Sequence, residues 1–199
     1  MEKLIQKIKS IPKTYFYLSD IKKISKLNNA SLKVAINRLI KNKELIRITK
    51  KVYTTNINDV DWKNLSIDIY SPSYISFEYA LSFYNILSQK PLHLTLATTK
   101  RSKTIETEAN NLMYKHIQKK MFWGYVQYHK DSNYLMANPE KAFIDLAYLS
   151  LNGYAKFDPE EMNLKILKKN RIKEYLKKIN NKKLTKLISS CILNKYILI

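Results

Sequence analysis

Cysteine occurs once in the 199 residues, at Cys191, so an intrachain disulfide and a cysteine-based zinc site are both excluded. Glycine occurs only twice. No Gly-rich phosphate loop can be built from two glycines, and turns must use Asn, Asp, Ser and Pro instead. No apolar run approaches the roughly 18 residues that would cross a bilayer. The opening MEKLIQKIKSIPK is broken by charge and has no apolar core, so no secretory signal is expected. A cytoplasmic protein is the simple expectation, with no membrane partner. Histidine occurs three times, at His93, His116 and His129, with no short pairing, so no metal site or cofactor is expected. Acidic residues are scarce, 16 Asp and Glu against 36 Lys and Arg.

What is present is positive charge and enough apolar material for a core. The formal net charge is +20 and 45% of residues are hydrophobic, which points to a folded protein with an acidic partner such as nucleic acid or an anionic membrane surface. Lysine outnumbers arginine 32 to 4, a bias that AT-rich codon usage also produces. The excess of positive charge stands whichever residue carries it. Residues 1–60 have net +10, residues 61–157 net +3 and residues 158–199 net +7, so a balanced middle lies between two basic ends.

Hydrophobic spacing predicts an α+β chain. Leu4, Ile5, Ile8 and Ile11 recur at helical intervals, and Pro12 ends that helix. Ser19 is a candidate cap for a second helix with Ile21, Ile24 and Leu27 on one face. Asn28-Asn29 makes a turn and a cap, and a third helix follows with Leu32, Ile36, Leu39 and Ile40 as its stripe. Two short strands then flank a Lys-Lys pair in ELIRITKKVYTT. The order predicts a winged helix-turn-helix DNA-binding domain over residues 1–58. The polar stretch 54–64 is the expected linker. A mixed α/β domain over residues 59–199 follows, ending in two basic amphipathic helices. Within it Ser76 is expected to cap a helix with Ala80, Phe83, Tyr84 and Leu87 inside. LHLTLAT, LMYKHIQ and WGYVQYH are strand-like, with Gly124 a possible bulge. Asn138-Pro139-Glu140 is a helix start, with Phe143, Leu146, Ala147 and Ser150 on one side.

The second helix of a helix-turn-helix enters the major groove, and here its off-stripe residues are Asn29, Ser31, Lys33, Val34, Asn37 and Arg38. Asn pairs with adenine, Lys reaches guanine or phosphate, and Ser contacts either. The alternative is a plain solvated three-helix surface. Lys100, Arg101 and Lys103 at a strand end are either a loop that meets phosphate or a solvated hairpin tip. Asp145 lies in an apolar helix four residues from Lys141, the spacing of a simple ion pair. No strand-borne acid–x–Lys pattern supports a metal nuclease, and no enzyme is expected. Cys191, in LISSCIL, reads as a packed thiol.

Four pieces, in order, resemble the AbiEi family: LIRITKKVYTT, SPSYISFEYALSFYNIL, LTLATTKRSK and YLMANPEKAFIDLAYL, together covering about residues 15–150. The resemblance implies the antitoxin of a type IV toxin–antitoxin, or abortive infection, system. Such a protein would be a transcriptional autorepressor that binds inverted repeats of double-stranded DNA in its own promoter. It would counter a nucleotidyltransferase-like toxin without a stable complex. Carried over, the DNA-facing set is Asn29, Ser31, Lys33 and Asn37 with Arg47, Lys50 and Lys51 of the wing. The antitoxin-domain candidates are Lys100, Arg101, Lys103, Lys141 and Asp145. Relatives often carry Gly where Lys51 stands, so a longer or differently twisted wing is expected. A stand-alone winged-helix regulator, or an enzyme acting on nucleic acid through Asp145 or Glu108, are the other readings.

Overall fold

A computed structural model describes residues 2–128 and 134–196, so His129 lies outside the described residues. The chain is α+β, and its contacts divide it into two units: Met1–Leu65 with Thr107–Ala109, and Ser66–Glu106 with Asn110–Ile199.

The first unit contains α1 (Glu2–Lys9), β1 (Phe16–Tyr17), α2 (Leu18–Ser25), α3 (Asn29–Lys41), β2 (Ile46–Thr49) and β3 (Val52–Thr54). One apolar cluster joins them, drawing Ile5 and Ile8 from α1, Ile21 from α2, Leu32, Ile36 and Leu39 from α3, and Phe16, Leu45 and Tyr53 from around the sheet. Helix α3 starts as expected, with the Asn28 side chain accepting the Ser31 N–H at 2.8 Å. Helix α2 starts differently. Ser19 lies inside its first turn, and Asp20 reaches back to accept the Tyr17 N–H at 3.1 Å. Leu27, expected inside, is 38% exposed because left-handed Lys26 has already ended the helix.

Strand β1 has no counterpart in the sequence pattern. Two residues give no periodicity, yet Phe16 and Tyr17 pair with Tyr53 and Val52 to make a three-stranded antiparallel sheet, order β1-β3-β2. Thr49 pairs with Val52, so Lys50 and Lys51 form a tight two-residue turn and the loop is not lengthened. Neither lysine has a positive φ, which the usual hairpin turns require. Instead the register shifts between Arg47 and Thr49, leaving Ile48 as an extra bulge residue, and a bulge adds local twist. The expectation of extra length therefore fails. The stretch 54–64 is ordered. The Thr54 hydroxyl donates to the Thr14 carbonyl at 2.8 Å, Ile57–Asp59 makes a 3-10 turn, and Val60 is buried.

Helix α4 (Trp62–Ile69) carries the chain into the second unit. That unit is built on β4 (Ser73–Ile75), α5 (Phe77–Phe83), β5 (Leu94–Thr98), β6 (Lys103–Glu106), β7 (Asn111–His116), β8 (Tyr125–Tyr128), β9 (Tyr134–Ala137), α6 (Pro139–Leu151), α7 (Lys169–Ile179) and α8 (Lys182–Tyr196). The six strands form one mixed sheet, order β6-β7-β5-β4-β9-β8, in which β5–β7 and β4–β9 are parallel. β5 is central and buried along its whole length. Helix α6 packs against α5, α7, α8 and β9, so it buries nearly every residue from Glu140 to Leu149, not one side only. Its start matches the sequence signal: Asn138 Oδ1 accepts the Lys141 N–H at 3.0 Å, with Pro139 in the first turn.

Two expectations fail here. Helix α5 buries Phe77, Ala80 and Leu81 and leaves Phe83 42% exposed. It ends at Phe83, and left-handed Asn85 turns the chain, so Leu87 is not on a continued helical stripe. The segment 94–106 is not a hairpin either, because β7 lies between β5 and β6.

Candidate nucleic-acid interface and buried lysine–aspartate centre

A groove of about 330 Å³ runs between α3 and the β2–β3 hairpin of the first unit. Asn29, Lys33 and Asn37 recur every four residues, so they share one face of α3, and all three line this groove. Arg47 and Lys50 line it from the hairpin, over a floor that includes Leu32, Ile36 and Tyr53. Lys22 also lines it. Sequence reading missed Lys22, although its place one turn after Leu18 on α2 is a signal, since both side chains reach the groove. No carboxylate is among the lining residues. The Arg47 guanidinium donates to Asn37 Oδ1 at 3.3 Å and sits 5.7 Å from the Tyr53 ring centre. An Asn37 whose oxygen is engaged presents its NH₂ as donor. The α3 surface beside this row is exposed and includes Val34, half-exposed, an apolar group of the kind that meets a thymine methyl.

Ser31 and Lys51 are not brought into the groove. Ser31 lies on the far side of the α3 first turn, where its N–H is taken by the Asn28 cap. Lys51 is exposed at the hairpin turn, and its carbonyl accepts the Leu18 N–H at 2.9 Å, tying the turn to the start of α2.

In the second unit, Lys100, Arg101 and Ser102 arch over the end of β7. The His116 N–H donates to Ser102 Oγ at 2.9 Å, and His116 Nδ1 lies 3.0 Å from the Lys100 carbonyl. Tyr70 organises the charges. Its hydroxyl donates to the Arg101 carbonyl at 3.1 Å, and Lys100 and Lys103 lie 5.2 and 5.6 Å from its ring centre. The loop is therefore a fixed cationic rim, and nothing within LTLATTKRSK announced Tyr70.

Lys141 and Asp145 stand apart from this surface. Both are fully buried and form an ion pair one turn apart on α6. Asp145 Oδ2 also accepts from the Tyr74 hydroxyl at 2.8 Å and the Ser76 hydroxyl at 2.9 Å, while Lys141 Nζ donates to the Tyr74 oxygen at 2.8 Å. Ser76 is thus spent on Asp145 and makes no cap for α5. Burial pushes the Lys141 amine down from its ordinary value, and Asp145 opposes that shift. Burial, then the Asp145 charge, pushes the Tyr74 phenol well up. Gly124 has φ +79°, and a methyl placed there would lie 3.0 Å from Lys141 Cγ, so glycine both permits the turn and leaves room for the lysine. At the same helix start Glu140, also buried, accepts the Lys168 N–H at 2.9 Å and meets Arg171 at 3.3 Å. The pair is sealed from solvent and clamps α6 to the β4–α5 corner; it presents no group to a substrate.

Among the described residues, no three His, Cys, Asp or Glu side chains come together as a metal cluster, and no helix is long and apolar enough to cross a membrane. Compared with known proteins, the chain matches no family model and no curated protein.

Proposed function

We propose that this protein is a DNA-binding antitoxin of the AbiEi type. In this reading residues 1–58 are a winged helix-turn-helix: α2 and α3 are the helix-turn-helix, α3 enters the major groove, and the β2–β3 hairpin is the wing. The protein represses its own promoter at inverted repeats, and residues 59–199 counter a nucleotidyltransferase-like toxin in the cytoplasm without a stable complex or an enzymatic step of its own. The observation that carries the DNA-binding half is the groove in which Asn29, Lys33 and Asn37 meet Arg47 and Lys50 with no carboxylate among them. Base-reading groups on a helix beside phosphate-reaching groups on a hairpin are what sequence-specific duplex binding requires. The antitoxin half rests on the ordered set of four sequence pieces. An enzyme acting through Asp145 is disfavoured by the burial of that carboxylate.

A gel-shift series on the upstream DNA tests the first half. Lys50→Ala with Lys51→Ala should weaken binding to all duplexes alike. Asn29→Ala or Asn37→Ala should narrow the gap between promoter and unrelated DNA, by about 1–3 kcal/mol per base read. Unchanged promoter binding in both sets would remove the winged-helix assignment. Co-expression with a neighbouring nucleotidyltransferase-like toxin tests the second half; growth without rescue would leave a stand-alone regulator.

A further inference from the structure

The second unit contains a cleft of about 520 Å³ that the DNA-binding reading does not use. It lies where the parallel strands β5 and β7 end, at Thr98 and His116. Ligands of sheets with parallel strands bind beyond the carboxyl ends of those strands. Ser102, Lys115 and His116 line the cleft from the strand side, and Tyr148, Asn152 and Tyr154 from the end of α6.

The two sides differ in chemistry. On the strand side, Lys115 makes no ion pair among the described residues. His116 Nδ1 faces the Lys100 carbonyl, which can only accept, so Nδ1 carries the proton and Nε2 is left as an acceptor for a ligand hydroxyl or N–H. This side suits a phosphate with a hydroxyl beside it. The other side is the carboxyl end of a helix, whose dipole disfavours an anion. What it offers is aromatic: Tyr148 is half-buried and Tyr154 is 71% exposed. Burial pushes the Tyr148 phenol up, so it remains a neutral hydrogen-bonding group at physiological pH. The volume suits one small-molecule-sized group.

We infer that this cleft binds an unpaired nucleotide, with the phosphate at Lys115, a sugar hydroxyl at His116 and the base against Tyr154. The nucleotide comes either from a single strand of nucleic acid or from a free mononucleotide, which share this chemistry.

Fluorescence anisotropy of a labelled short oligouridylate with the full chain tests it, with UMP as competitor. Wild type should bind, and Tyr154→Ala and Lys115→Ala should each weaken binding, the tyrosine change by roughly tenfold. Tyr154→Phe should retain affinity, because the ring is what stacks. Tyr154→Ala should bind promoter duplex as wild type does. The Lys50→Ala, Lys51→Ala protein should keep oligouridylate binding, so failure of the winged-helix reading and failure of this one are distinguishable. Displacement by UMP assigns the site to free nucleotides, and displacement only by unlabelled strand assigns it to single strands. No binding by wild type, or wild-type affinity in both Tyr154→Ala and Lys115→Ala, overturns the inference. The exposure of Tyr154 makes misfolding a poor explanation for its loss, and the unfolding curve of each variant checks that directly.

Discussion

Lys141 carries a charge into a site sealed from solvent, where Asp145 on its own helix and Tyr74 on β4 hold it. A buried pair stabilises little net of its desolvation cost, but breaking one strands the other charge. Lys141→Met should therefore lower stability by about 3–5 kcal/mol. Adding Asp145→Leu to that variant should recover much of the loss, because the stranded carboxylate goes with it. Urea unfolding followed by the fluorescence of Trp123, whose ring centre lies 5.6 Å from Lys141 Nζ, measures both. Equal stability of Lys141→Met and wild type would show that the pair has no such role. The i, i+4 spacing made the pair itself legible in the sequence. Tyr74 and Ser76, 71 and 69 residues away, were not, because only the fold sets their distance to Asp145.

At the scale of elements, helix starts were read best where one short side chain makes one local bond. Asn28 and Asn138 both accept the N–H three residues on, as their positions imply. Asn28→Ala should cost about 1 kcal/mol in the first unit and should weaken promoter binding, since it frays the end of α3 that carries Asn29. Thermal unfolding with a parallel gel shift reads both effects, and loss of stability with full DNA affinity would detach Asn29 from the interface. Ser19 and Ser76 had the same local signal as these asparagines, yet neither caps. Helix α2 already begins at Leu18, which puts Ser19 inside it, and the tertiary demand of Asp145 takes Ser76. β1 and the central position of β7 between β5 and β6 left no local trace, because strand pairing is decided by partners far along the chain.

For the whole molecule the dominant quantity is charge, +20 in 199 residues. Duplex binding that neutralises phosphates releases counterions, so log affinity should fall linearly with log salt. Replacing Lys50 and Lys51 by Ala should reduce that slope by about two, roughly one for each phosphate that is no longer neutralised. A titration at several salt concentrations checks this, and an unchanged slope would place the hairpin away from the backbone. The sequence by itself determined the charge excess, the order of three helices and a hairpin in the first unit, and the α+β content, because these follow from composition and local periodicity. Only the tertiary structure decided which of the many lysines act together. It gathered Lys22, Lys33, Arg47 and Lys50 around one groove, buried Lys141 beside Asp145, and set Lys115 and Tyr154 around one cleft at a strand end. A lysine's role depends on its distance to other charges and to water, and no local pattern encodes that distance.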